Sequence, residues 1–325
     1  MKSLDVYWRD INAISLLLLP VSALFCLLSK LRLQLYKQNI LKSYKAPVPV
    51  LVVGNISVGG TGKTPLIIEL VKQLQSQGRT PGVISRGYGG RSRVWPRVVN
   101  ANSTADQVGD EPELIYQHTQ CPLVVGPHRE QSIKLLLEQF NCDVLLSDDG
   151  MQHYAMQRDI EIAVVDAQRQ FGNGFCLPAG PLRETTSRLN QVDLVLYNGG
   201  DSQQNSFSMR ATHCLAVGRE SDRVDLVRFS GQKLHAIAGI GNPQRFFDML
   251  KRFGIDVIEH PFPDHHQFSE ANLLFNDAMP VLMTEKDAVK CRHFKLSDHW
   301  AVSITIDFSD DAQTKLDRIF NSLPV

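Results

Sequence analysis

The segment GNISVGGTGKTP, residues 54–65, constrains this chain more than any other feature in it. An apolar run, 50–53, comes just before it, and 66–74 carries apolar residues at helical spacing just after it. A buried strand that turns through glycines into a helix leaves free N–H groups at the helix start, where the helix dipole adds positive potential. Gly59, Gly60 and Gly62 permit positive φ and close approach of an anion to the backbone. Lys63 is placed to reach the β- and γ-phosphates of a nucleotide, and the Thr64 hydroxyl to sit on its magnesium. Pro65 is tolerated because the first helical turn offers its missing N–H no partner. Ser57, Val58, Gly59, Gly60, Thr61, Gly62, Lys63 and Thr64 therefore read as a phosphate-binding loop. The strict G-x-x-x-x-G-K-[ST] pattern asks for glycine at 57, where this chain has Ser57.

The flanking sequence continues the alternation. Gly78 closes the helix, and 81–85 reads as the next strand. Strands are expected at 123–125, 144–146, 160–165 and 192–197, with a helix at 129–140. The stretch 198–208 is polar and reads as a linker. Beyond it, 233–239, 243–253 and 257–259 resemble a second strand–helix–strand unit, and 282–283 and 302–306 add strands. The expected class is α/β: a P-loop NTPase-like, mostly parallel sheet covered on both faces. A second, smaller α/β domain and an N-terminal hydrophobic helix complete it. The corresponding boundaries are 1–46, 47–200 and 201–325.

Asp148 and Asp149 end an apolar strand, where carboxylates near a phosphate loop suit magnesium and its waters. Paired aspartates also cap turns. By spacing alone Asp110 and Glu111 are ordinary surface acids beside a helix start, and His265 and His266 are loop histidines. Arg86, Arg91 and Arg93 lie in a glycine-rich loop that is either a solvated turn or a phosphate contact. Gly239–Gly241 before Pro243 reads as a structural strand-to-helix turn. A phosphate loop with an acidic strand end fits a kinase and a membrane-coupled ATPase alike.

With 34 basic and 34 acidic residues the net charge is zero, which gives no broad footprint for nucleic acid. Six cysteines without a C-x-x-C pair exclude a disulfide framework and that type of zinc site. Ile11–Ser29 carries no formal charge, and as a helix it would span about 28 Å. Asn12, Ser15, Pro20 and Ser22 dilute it, while Lys30, Arg32, Lys37, Lys42 and Lys45 follow. A monotopic or transmembrane anchor is the favoured expectation, with a core helix as the alternative.

Six blocks in order carry a closer likeness: GNISVGGTGKTP, SRGYGG (85–90), VGDEP (108–112), DDGMQH (148–153), LPAGPLRE (177–184) and FPDHH (262–266). Together they resemble tetraacyldisaccharide 4'-kinase, the lipid A kinase of Gram-negative bacteria, and the Ser57 variant is that family's own form. The resemblance implies transfer of the γ-phosphoryl of ATP, with Mg2+, to the 4'-hydroxyl of a lipid A disaccharide 1-phosphate, giving lipid IVA. It implies work at the cytoplasmic face of the inner membrane, against a membrane lipid surface, with no nucleic acid and no obligate protein partner. It carries catalytic roles onto Lys63, Asp110, His265 and Asp149, and metal roles onto Thr64, Asp148, Asp149 and Glu111. Asp110 paired with His265 would activate the sugar hydroxyl. Arg86 and Arg183 are the implied contacts to substrate or phosphate.

Overall fold

The computed structural model describes residues 7–199 and 204–324. Its strands, in chain order, are β1 Val50–Gly54, β2 Pro81–Ser85, β3 Arg97–Val98, β4 Leu123–Val125, β5 Val144–Asp148, β6 Ile160–Asp166 and β7 Leu194–Asn198. The second half adds β8 Ser206–Ala216, β9 Arg219–Asp225, β10 Lys233–Ala238, β11 Asp256–Pro261, β12 Val281–Thr284 and β13 His299–Phe308. All join one sheet in the order β11-β10-β12-β13-β8-β7-β6-β1-β5-β2-β4-β3, with β9 on β8. Pairing is parallel except β3–β4, β8–β9 and β8–β13. The Val- and Leu-rich β1, β5 and β6 are buried along their whole length, as strands covered on both faces must be.

The strand order positions the site. β1 and β2 are joined through the helix Lys63–Ser76, yet β5 lies between them. The end of β1 is therefore beside the end of β5, with Val53 in register with Asp148. Strand order also reverses around β1, which pairs with both β5 and β6, the kind of point where open α/β sheets take ligands.

The polar stretch at 198–208 is not a linker throughout. Asn198 ends β7 and Ser206 begins β8, and residues 200–203 lie outside the described residues. β7 and β8 share only two register pairs, Tyr197 with Ser206 and Asn198 with Phe207. The long antiparallel pair β8–β13 then carries the sheet into its second half. Polar composition concealed the start of β8 because its first residues, Ser206 to Arg210, alternate polar with apolar side chains and include an exposed arginine.

Near the N-terminus two helices, Ala13–Leu17 and Leu19–Lys37, meet at Leu18. Pro20 falls in the first turn of the second, where it needs no hydrogen bond. Asn12 caps the first by accepting from the N–H groups of Ile14 and Ser15. The second helix touches the body through Ser22, whose hydroxyl donates to Cys176 O at 2.7 Å, and through Phe25 and Cys26. Its other side leaves Val21, Leu24, Leu27, Leu28 and Leu31 exposed, so a core helix is not what the segment forms. Among the described residues no helix is long and apolar enough to cross a membrane.

Candidate active site

The phosphate loop leaves β1 and turns through Gly62, at φ 93°, into the helix that Lys63 opens. Val58 N–H donates to Pro181 O at 2.8 Å, and Ser57 bridges Leu182, so the segment 177–184 buttresses the loop. That same segment carries Arg183, whose Nη1 lies 2.9 Å from Asp149 Oδ2. Lys63 Nζ lies 3.5 Å from Asp149 Oδ1. Burial opposes ionisation of Asp149, but Lys63 and then Arg183 outweigh it and bring its pKa down to about 2. Asp148 stands in the opposite condition. Burial first, then the charges of Glu111 and Asp149, push it up to about 7, against the pull of Lys63 and a hydrogen bond from Ser85 Oγ at 3.0 Å. The buried Arg129 secures the strand end by donating to Asp148 O at 2.8 Å.

The donor set fits a hard divalent cation. Asp148 Oδ1 and Asp149 Oδ1 are buried oxygens without a hydrogen-bond partner, and Thr64 lines the same cavity. Among the described residues no three acidic, histidine or cysteine side chains converge as a ready-made cage. Magnesium characteristically uses one or two carboxylates with waters and phosphate oxygens, so the pair suffices. Glu111, whose charge acts on Asp148, lines the same cavity, with its Oε1 held by Lys286 Nζ at 2.9 Å.

Asp110 opens the helix Asp110–Thr119 and is only 4% exposed. His265 Nδ1 lies 2.9 Å from Asp110 Oδ2 and 3.1 Å from Oδ1, so the two blocks 150 residues apart in sequence do meet. Burial alone would raise the Asp110 pKa, but the His265 hydrogen bond, Lys286 and Lys290 together lower it. His265 moves up, because its bond to Asp110 outweighs burial and the charge of Lys286. Its ring also packs on Tyr88, centroid to centroid 5.0 Å. The cavity measures about 1060 Å³ and is lined by Lys63, Thr64, Asp148, Asp149, Glu111 and His265. Arg86 and Arg183 also line it. Arg91 and Arg93 are exposed instead, and His266 Nε2 is engaged with Asn272 Oδ1 at 3.3 Å.

Motif reading missed the helix Glu285–Cys291, which docks on the helix Asp110–Thr119 through charge. Glu285 faces His118 at 3.0 Å, and Lys286 joins Glu111 to Asp264, at 2.9 and 3.3 Å. The buried Lys290 lies 2.8 Å from Asp287 and 3.9 Å from Asp110. Asp287 is fixed by Thr284 Oγ1 and by Gly239 N–H. The signal was present as two lysines four apart after the strand at 282–283, on one helical face.

The family model for tetraacyldisaccharide-1-P 4'-kinase matches residues 14–321. The tetraacyldisaccharide 4'-kinase of Actinobacillus pleuropneumoniae serotype 5b is 51% identical over 309 residues, covering 94% of this chain and 95% of that one. Those of Nitrosococcus oceani and Hahella chejuensis are 48% and 44% identical, covering 92% and 97% of this chain and 89% and 96% of theirs. Among solved structures, the Aquifex aeolicus LpxK crystallised in complex with ATP superposes with a TM-score of 0.78 at 27% identity, over 94% of this chain and 99% of that one. The shared mostly parallel sheet, the phosphate loop at its centre and the extent of these matches lead to one assignment: this chain belongs to the tetraacyldisaccharide-1-P 4'-kinase family.

Proposed function

We propose that the chain transfers the γ-phosphoryl group of ATP to the 4'-hydroxyl of a tetraacyldisaccharide 1-phosphate, forming lipid IVA. One observation carries this reading: the phosphate loop and His265, which holds the buried carboxylate of Asp110, meet at a single cavity. An ATPase without an acceptor has no use for a carboxylate–imidazole pair at this cavity. In the proposed roles, the loop amides from Ser57 to Thr64 and the Lys63 ammonium hold the β- and γ-phosphates. Asp110 orients the acceptor hydroxyl and takes up its proton as the oxygen attacks, with His265 holding the carboxylate in place. A loose transition state asks more for positioning than for a strong base, which suits a carboxylate. Thr64, Asp148, Asp149 and Glu111 would hold Mg2+, which when bound neutralises charge on the phosphoryl oxygens. Arg183 steadies Asp149, and with Arg86 it supplies positive charge toward phosphate.

The body is read as a phosphate-loop unit, 47–200, and a smaller unit, 201–325, with the site between them. Residues 1–46 are read as a membrane-facing segment at the cytoplasmic face of the inner membrane. The exposed row Val21, Leu24, Leu28 and Leu31 supports interfacial seating. Holding the acyl chains in lipid during catalysis avoids about 0.8 kcal/mol per CH2 of transfer into water. The test is a phosphoryl-transfer assay with labelled ATP, Mg2+ and the disaccharide 1-phosphate in detergent micelles. A doubly phosphorylated lipid is the expected product; ATP hydrolysis without it would refute the assignment.

A further inference from the structure

The phosphate loop is held from behind by side chains that lie in none of the six sequence blocks. In a trans peptide the C=O and the following N–H point in opposite directions. Groups that fix the oxygens of Gly60 and Thr61 on the outside of the loop therefore turn the N–H groups of Thr61 and Gly62 inward. The structure supplies two. Asn198 Nδ2 donates to Thr61 O at 2.8 Å, and Arg169 Nη2 donates to Gly60 O at 2.6 Å.

Asn198 stands at the end of β7 and is 1% exposed. Its amide has one possible orientation. Oδ1 accepts from Arg245 Nη2 at 2.6 Å, a guanidinium only donates and the Thr61 oxygen only accepts. Arg245 belongs to the first turn of the helix Pro243–Arg252, across the thin β7–β8 seam. Its Nη1 lies 3.8 Å from Asp166 Oδ2. Asp166 is buried, accepts the N–H groups of Gln168 and Arg169, and lies 3.5 Å from Arg169 Nε. One carboxylate thus steadies both arginines. The packing leaves no slack, because a Cβ on Gly62 would fall 2.4 Å from Asn198 Nδ2, and one on Gly241 would fall 2.7 Å from Gly60 N.

We propose that Asn198, seated by Arg245 and Asp166, is a positioning residue that pre-sets the phosphate loop for the nucleotide, so that the second half of the sheet contributes to ATP affinity. The inference deepens the nucleotide reading above and rests on it. Amides already aimed at an anion bind it without reorganisation, and that advantage is lost when their carbonyls are released.

The experiment uses the full chain in detergent with Mg2+ and measures ATP binding by calorimetry. Asn198→Asp keeps the shape and the acceptor for Arg245, but sets a carboxylate oxygen against Thr61 O. ATP binding is expected to weaken about tenfold or more. Asn198→Ser removes the donor without adding charge, and an intermediate weakening is expected. In turnover the KM for ATP should rise while the KM for the lipid acceptor stays within about twofold, a split that general loosening of the fold would not give. Binding by both Asn198 variants within about twofold of the native chain would overturn the inference. Failure of the native chain itself to bind ATP would overturn the nucleotide reading, and this inference with it.

Discussion

Asp148→Asn should make the protein more stable and nearly inactive at once. Burial, with the charges of Glu111 and Asp149, pushes the carboxyl of Asp148 up from an ordinary value of 3.8 to about 7. At 1.36 kcal/mol per pH unit, that displacement corresponds to at most about 4 kcal/mol of opposition to the ionised form. A carboxylate with a raised native pKa binds its proton more tightly folded than unfolded. Its penalty is absent well below pH 3.8, grows as the pH rises toward 7 and is complete above it. Asparagine keeps the bond from Ser85 Oγ but leaves an amide N–H group at a buried position without a partner, which costs about 1–3 kcal/mol. The net gain above pH 7 is therefore about 2 kcal/mol, and it shrinks toward pH 5. Urea unfolding at pH 8 and pH 5, with chelator and no nucleotide, measures both values. The same variant loses one of the carboxylate ligands proposed for Mg2+, so kcat should fall at least about 100-fold. A variant no more stable than the native chain at pH 8, or a gain independent of pH, would refute the argument that this carboxylate is held in an unfavourable charged state.

Lys63→Ala should remove charge-assisted contacts worth about 1.5–3 kcal/mol each and lower kcat more than ATP affinity, because charge moves onto the transferring phosphoryl in the transition state; single-turnover rates and calorimetry separate the two effects. Asp110→Asn keeps the contact with His265 but removes the proton acceptor, and kcat should drop about 100-fold or more with the KM for ATP nearly unchanged. Lys286→Met leaves Glu111 and Asp264 facing each other across the cavity mouth without their shared cation; turnover should fall, and the loss should deepen as salt is lowered, because repulsion between the two carboxylates is then less screened. Leu24→Ser combined with Leu28→Ser and Leu31→Ser should weaken binding to anionic vesicles at least about tenfold in a sedimentation assay without altering ATP binding.

β1, β5 and β6 were legible because they are buried on both faces and read as apolar runs, broken in β6 only by Glu161 before its last residue, whereas the short half-buried β3 was not. β8 and β9 were not, since a half-exposed antiparallel pair such as SFSMRATHCLA alternates polar with apolar and hides among turn residues. Lys63, Thr64 and the Asp148–Asp149 strand end follow from elementary phosphate chemistry. The meeting of Asp110 with His265 does not follow from spacing at all. It depends on a sheet that brings the two segments together, and only the likeness of whole blocks pointed to it. Asn198, Arg169 and Arg245 escaped for a further reason: each acts on backbone atoms, and a side chain that holds a carbonyl leaves no motif of its own.

The arrangement of charge ties these parts together. Asp149 is held by Lys63 and Arg183, Glu111 and Asp264 share Lys286, and Asp110 is flanked by His265 and Lys290. In Asp148, by contrast with Asp149 and Asp110, burial and neighbouring carboxylates prevail over the cations. A triphosphate approaching the loop competes with Asp149 for Lys63, and each step of that competition leaves more negative charge on the Asp148–Asp149 edge. A divalent cation answers that excess at Asp148 Oδ1, which has no hydrogen-bond partner, and at Asp149 Oδ1, which Lys63 then leaves. Nucleotide and Mg2+ should therefore bind with positive coupling, each raising the affinity for the other, and the coupling should be lost in Asp148→Asn. ATP affinities of the native chain that do not change between chelator and millimolar Mg2+ would break this chain of reasoning at its first link.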